Sequence, residues 1–406
     1  MLTVDPVRLA RRQIEIDRKR TARFPHLLAH KAERMSASPL ALLRGAAQLF
    51  YELLESHPAL ADGPPGDGWL VGDAHLENFG AYRTDALSVK ETKHSRAAEA
   101  IVFDVNDYDE AFVGPWRLDV LRLTTSLILG GRELGADGPQ ALALCDCLID
   151  GYVDAVFHGK KTPAPPRPVA TLVDKARSRT RKELLDGRTK VVRGERRFVR
   201  GPRYEDIPAK LREKAERAFA KYVKRLPRGE RPPAEALEVI DAAFRVAGTG
   251  SLGGLRVAML VRGKGGADGA WVFDMKEEGA PSSACLVRPP RDLEPAERVC
   301  SALRSSLARP PRMIGVTRLR GDSMFVRRLA PQEDKLDLTR IDPSDLEPLA
   351  RYLGALLGGA HRRGARRRPK KPWTHQERAR LLGHAIALAG VHEATYLAYC
   401  DLVRRS

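Results

Sequence analysis

A chain of 406 residues, 43% hydrophobic and 30% charged, is too long for one small core and ordinary in composition for a soluble globular protein. It has no run of about 18 apolar residues, which excludes a transmembrane helix, and its first residues lack the apolar core of a signal peptide. Five scattered cysteines make no disulfide framework, so the expected compartment is the cytoplasm; the net charge of +18 suits nucleic acid, an anionic membrane surface or a phosphorylated ligand, or equally an Arg-rich proteome, and no aromatic-basic interleaving marks a nucleic-acid surface.

In chain order, residues 5–35 read as a strongly charged helical arm. Ser38-Pro39 is a helix start, an N-cap followed by proline at the first helical position. Leu42, Leu43, Ala46, Leu49, Phe50 and Leu53 continue it with helical period, and Arg44-Gly45 inside it reads as a surface arginine beside a close helix contact. Pro58 and Asp62-Gly63-Pro64-Pro65 end that helix. Two short apolar runs then each deliver acidic residues into a polar loop: Trp69-Leu70-Val71-Gly72-Asp73-Ala74-His75-Leu76-Glu77-Asn78, and Ile101-Val102-Phe103-Asp104-Val105-Asn106-Asp107. Such loops on neighbouring strands can converge on a cation, and Asp104 supplies the hard carboxylate that Mg²⁺ prefers. A hairpin through residues 81–103 would bring them together. A metallohydrolase built on Asp73, His75, Asp104 and Asp107 is the competing enzyme reading, but it lacks the further histidines of a transition-metal site.

Val120–Leu129 reads as an apolar helix stopped by Gly130-Gly131, and a second helix runs from about Pro139 to His158. Thr162–Pro168 is a stiff proline-rich connection. The basic stretch Asp174–Arg203 reads as a solvated helical face, with reception of an anionic substrate as the functional alternative. Residues 244–329 change character and read as strands. Gly248-Thr249-Gly250-Ser251-Leu252-Gly253 falls between two of them, and a third, Trp271–Lys276, carries a lysine. A helix follows from Glu294 to Leu307, then two strands around Arg320-Gly321-Asp322. The rest is helical: Asp345–His361, failing at Gly358-Gly359, and Thr374–Arg405.

The loop Gly72-Asp73-Ala74-His75-Leu76-Glu77-Asn78 resembles the catalytic loop of aminoglycoside phosphotransferase-like kinases, Phe103-Asp104 resembles their metal-binding Asp, and Gly114–Asp119 resembles the segment that opens their next helix. The resemblance implies that Asp73 is the catalytic base, that Asn78 and Asp104 hold Mg²⁺, and that Asp119 is structural. His75 itself reads as a structural histidine pinning the loop, and Asp107 as a secondary carboxylate. Val71 stands where these kinases usually have histidine, and the stretch from Asn78 to Asp104 is longer than usual. The glycine stretch resembles their phosphate-covering loop, with Gly248, Gly250, Ser251 and Gly253 close to ATP, Lys276 on its phosphates and Glu297 (or Glu294) holding Lys276. These parts occur in the reverse of the usual order. The implied fold is therefore α+β, two-lobed, kinase-like and circularly permuted: residues 236–330 a small antiparallel-sheet nucleotide lobe, 1–160 and 331–406 a larger helical catalytic lobe, and 161–235 a basic insertion. Most of the chain, including Met35–Pro39 and Arg44-Gly45-Ala46, also resembles the bacterial family called domain of unknown function 2252. The expected activity is ATP- and Mg²⁺-dependent phosphotransfer to an unidentified hydroxyl acceptor. The alternatives are a nucleotide-binding pseudokinase and a kinase-like nucleotidyl transferase.

Overall fold

The computed structural model describes residues 4–84, 101–289 and 292–405. Asp5 caps helix α1 (Pro6–Arg20) by accepting the Val7 and Arg8 N–H groups, and α2 (Leu27–Met35) folds back beside it. Ser38 caps α3 (Pro39–Gly45) through the Ala41 N–H. The chain then bends at Ala46 before α4 (Ala47–Ser56) and the short α5 (Pro58–Ala61), where one continuous helix was expected. The bend lets Gly45 press against the Met35 side chain, a place with no room for a Cβ.

Four short strands follow: β1 (Asp67–Leu70), β2 (Phe79–Arg83), β3 (Ile101–Val105) and β4 (Phe112–Pro115). β2 and β3 pair antiparallel with Phe79 opposite Val105, and β1 pairs with β4. The hairpin through residues 81–103 thus has its strands in place, while its tip lies outside the described residues. Helix α6 (Arg117–Glu133) runs straight through Gly130-Gly131. Gly130 is there to admit Leu76 and Leu40 against the helix, which is a packing reason and not a stop. Asp137 and Gln140 form a capping box for α7 (Gly138–Val156).

The basic stretch is not one helical face. It comprises α8 (Arg167–Ser178), α9 (Arg181–Asp186) and the hairpin β5 (Thr189–Val192) and β6 (Glu195–Phe198). Arg196 is buried there between Asp186 and Asp268. After β7 (Tyr204–Glu205) and α10 (Ala209–Arg225) come β8 (Val239–Arg245), β9 (Arg256–Val261), β10 (Trp271–Glu277), α11 (Pro295–Ser306), β11 (Gly315–Leu319) and β12 (Asp322–Leu329). They make a six-stranded antiparallel sheet in the order β11-β12-β10-β9-β8-β7. Arg320 and Gly321 both have positive φ, as a two-residue hairpin turn between β11 and β12 requires. One sheet face buries Val257, Met259, Phe273 and Met275 against Phe219 and Tyr222 of α10.

The chain leaves the sheet through β13 (Asp334–Lys335), which pairs with β2. Helix α12 (Leu346–Arg363) does not fail at Gly358-Gly359. Gly354 and Gly358 lie on carbonyls of α7, and Gly151 of α7 lies on Arg351, so these glycines allow two helices to cross at backbone contact. β14 (Ala365–Arg367) joins β1, and Thr374 with Glu377 caps α13 (His375–Arg404). The fold is mixed α and β, with small antiparallel sheets and one large core under β1–β4, α6, α7 and α12.

Candidate functional site

The floor of the site is the loop after β1. Gly72 adopts φ +84, a left-handed conformation that a side chain would strain, and a Cβ there would strike the Glu110 carbonyl. Asp119, in the first turn of α6, accepts the Val71 N–H at 2.6 Å and the Gly72 N–H at 2.9 Å. His361 Nε2 lies 3.0 Å from Asp119, and its Nδ1 lies 3.0 Å from the Tyr152 hydroxyl, all three groups being buried. The brace therefore has a second tier that the sequence concealed, because His361 sits on α12, far along the chain.

Asp73 is held by Arg122, whose Nε donates to Oδ1 at 2.7 Å. Arg122 is wholly buried and follows Asp119 by one turn of α6, the only local sign of its role; it also donates to the Leu43 carbonyl. Burial raises the Asp73 pKa, and the Arg122 charge opposes that rise. His75 Nε2 is 3.7 Å from Asp73. Burial, with repulsion from Arg44, Lys335 and Arg122, holds the His75 pKa well below its usual value, so the ring is neutral. Asn78 Nδ2 donates to the carbonyls of Asp73 and Asp107, each at 3.1 Å, and its buried Oδ1 has no partner.

Asp104 is not where the motif reading expects it. Its carboxylate is buried on β3, accepts the Val105 N–H at 2.8 Å and lies 3.7 Å from Arg363, and it lines neither cavity of the cleft. Burial pushes its pKa up to about 6. The strand continues to Val105 before the chain turns, so the carboxylates that reach the cleft are Asp107, tied through its carbonyl to Asn78, and Asp109. Among the described residues no group of three or more His, Cys, Asp or Glu side chains is arranged to hold a metal ion.

The opposite wall is the sheet. Lys276, opposite Arg256 and Phe325 in register, points out of β10 to ion-pair with Asp109 and lies 3.6 Å from Glu278. Glu297 does not partner it. That residue faces a separate groove with Tyr222 and Arg304, because the neighbouring Arg298 takes the inward face of α11 and donates to the carbonyls of Asp109, Ala111 and Gly279. Glu294 is paired instead with Arg318. The glycine stretch lies between β8 and β9, with φ +85 at Gly248 and +108 at Gly253.

A family model described as an uncharacterized protein conserved in bacteria, DUF2252, matches residues 23–402. The chain belongs to the DUF2252 family. No curated protein and no solved structure matches it. The DUF2252 match spans all the site residues described above, from Asp73 to His361.

Two cavities meet between the floor and the sheet of this DUF2252 chain. The inner one, about 100 Å³, brings together Asp73, Asn78, Asp107, Gly248, Gly250 and Ser251. Arg44 lines it too, paired with Glu77 at 2.7 Å, so the residue expected on the surface faces the site. The outer cavity, about 340 Å³, contains Lys276, Arg256, Asp274 and Arg245, and shares Asp107, Asp109, Gly248 and Ser251 with the inner one. Gly253 lies outside both, packed on the Arg20 carbonyl. Among the described residues no helix is long and apolar enough to cross a membrane.

Proposed function

We propose that this protein is an ATP- and Mg²⁺-dependent phosphotransferase of kinase-like type, acting on a hydroxyl acceptor at Asp73. The observation that carries the reading is the convergence of Asp73, Asn78, Asp107 and the glycine stretch in one cleft faced by Lys276. Asp73 would orient the acceptor hydroxyl and take its proton; its carboxylate is fixed for that purpose by Arg122 and by the Asp119–His361 brace. Lys276 would exchange Asp109 for phosphate oxygens, and the glycines leave backbone free to approach them.

The donor set fits Mg²⁺. Asn78 offers an unpartnered amide oxygen and Asp107 a carboxylate, and Mg²⁺ is ordinarily held by one or two such groups, with waters and phosphates filling the rest. When bound, the ion would offset phosphate charge. Asp107 thus replaces Asp104 in the metal role. A circularly permuted kinase-like arrangement, with residues 236–330 as the nucleotide lobe, follows from the same reading.

Incubation with ATP labelled at the γ or the α position, with and without candidate acceptors, tests it. Transfer of the γ label is the expected result, and Asp73→Asn should abolish it while leaving nucleotide affinity within about twofold. Transfer of the α label would instead mean nucleotidyl transfer. Binding without any transfer would leave a pseudokinase.

A further inference from the structure

Strand geometry divides the inner sheet face into two halves. Side chains two apart on a strand share a face, so Val272, Asp274 and Lys276 lie in one row on β10. The same alternation puts Arg256 with Ala258 and Leu260 on β9, Ala243 with Arg245 on β8, and Arg327 with Leu329 on β12. On β9 and β10 the row passes from apolar residues to a charged end, on β8 Ala243 is followed by Arg245, and on β12 Arg327 stands between Leu329 and Phe325. The apolar half, Ala243, Ala258, Leu260, Val272 and Leu329, is already covered: it forms a closed cluster with Leu185, Phe198 and Tyr204 of the insertion. The charged half, with Phe325 at its edge, is left to the cleft.

That half is cationic. Asp274 accepts from Arg256 Nε at 2.9 Å and from Arg245 Nη1 at 2.5 Å, two arginines on one carboxylate. Arg327 stands opposite Asp274 in register, and Arg188 from the insertion enters the same cavity. Arg188 Nε and Arg245 Nε are buried with no partner. A heterocyclic base needs an apolar surface to stack on, and here the insertion's aromatic residues occupy the sheet surface that could supply one. Guanidinium groups with unused donors suit phosphate oxygens. The apolar residues that remain in the cavity come from elsewhere: Tyr82 from β2, Val299 and Leu303 from α11, Leu307 and Ile314 from the segment after it, and Phe325 from β12, across Lys276 from Arg256.

We propose that the cleft recognises the polyphosphate chain of its donor and not the base, so that nucleoside triphosphates of any base and inorganic polyphosphate are bound alike. This rests on the phosphotransferase reading and narrows its donor class. The test is calorimetric titration of the full chain, in Mg²⁺, with ATP, GTP, inorganic tripolyphosphate and adenosine. ATP, GTP and tripolyphosphate should agree within about tenfold, and adenosine should displace none of them. Arg188→Ala should weaken ATP and tripolyphosphate together by about tenfold without shifting the melting temperature, because the backbone of Arg188 is held by Leu185 and Val199. Displacement by adenosine, a gap beyond about tenfold between ATP and either GTP or tripolyphosphate, or an unaffected Arg188→Ala protein would overturn the proposal while leaving phosphotransfer standing. Failure of every phosphate compound to bind would remove both.

Discussion

Asp104 and Asp107 leave the same strand three residues apart, and the fold uses them in opposite ways. Both are acidic, and both follow an apolar run, so motif spacing alone does not separate them. What decides is where β3 ends: Asp104 is still within the ladder and buried beside Arg363, while Asp107 is past it and enters the cleft. The burial of Asp104 has a measurable consequence. Its pKa is about 6 in the folded chain against 3.8 for the free side chain. Between those values the unfolded chain gives up the proton first, so stability falls as pH rises, and the full cost, up to about 3 kcal/mol, is present above pH ~6. Asparagine keeps the acceptor for the Val105 N–H and carries no charge. Asp104→Asn should therefore raise the melting temperature at pH 8, with the gain shrinking towards pH 4, and should leave the proposed Mg²⁺-dependent nucleotide binding intact. Loss of that binding in the variant would restore Asp104 to the metal site. Asp73 and Asn78, by contrast, could be named as candidates because they lie five residues apart in one contiguous loop, although the arginine that holds Asp73 is distant. Arg122 and His361 could not be named, since Arg122 lies 49 residues from the Asp73 it holds and His361 lies 242 residues from Asp119.

At the level of elements, the helix starts and the strands of the large sheet could be read, whereas the β5–β6 hairpin, expected as a helical face, and two of the helix stops could not. Ser38, Asp137 and Thr374 cap helices through bonds to residues three positions on, so the signal is local. Gly130-Gly131 and Gly358-Gly359 looked like stops, but each lies where a neighbour approaches the backbone, and that neighbour is distant in sequence. Helix α11 was placed correctly by its pattern, yet its rotation was not. Glu297 and Arg298 are adjacent, and the arginine is the one turned toward the cleft. Substitution can confirm the orientation. Glu297→Gln should leave nucleotide affinity within about twofold, whereas Arg298→Met removes charge-assisted bonds to three loop carbonyls, each worth about 1.5–3 kcal/mol. The second variant should melt markedly earlier and lose nucleotide affinity, as loop 109–111 loses its anchor; the reverse pattern would show that α11 presents Glu297 to the cleft.

Over the whole molecule, the amino-terminal arm is what ties the two walls of the cleft together. On one side it packs on the carboxy-terminal helix: the Tyr399 hydroxyl reaches Asp17 at 3.4 Å, within a buried group completed by Gln13 and Lys31. On the other side it grips the glycine stretch. Arg20 donates to the Gly250 carbonyl at 2.6 Å, Lys31 to the same carbonyl at 3.4 Å, and Arg34 to Gly248. Arg23 adds pairs to Glu277 and Asp322 at the sheet's end. The sequence displayed this arm only as a charged helix, because its partners lie more than 200 residues away and a cation bound to a carbonyl leaves no pattern. Arg34→Ala addresses the second job alone, whereas Lys31→Met touches both. Lys31→Met leaves Asp17 buried without its cation, which should cost about 3–5 kcal/mol and lower the melting temperature. Arg34 is exposed, so Arg34→Ala should leave the melting temperature nearly unchanged, yet hydrogen exchange of the amides in residues 248–253 should quicken as the loop loosens. Nucleotide affinity should fall with it, since a loop that must be ordered on binding costs entropy that a tethered loop does not. Unchanged exchange in the glycine stretch of Arg34→Ala would mean that the loop holds its shape without the arm, and the arm would then be a structural brace between the terminal helices alone.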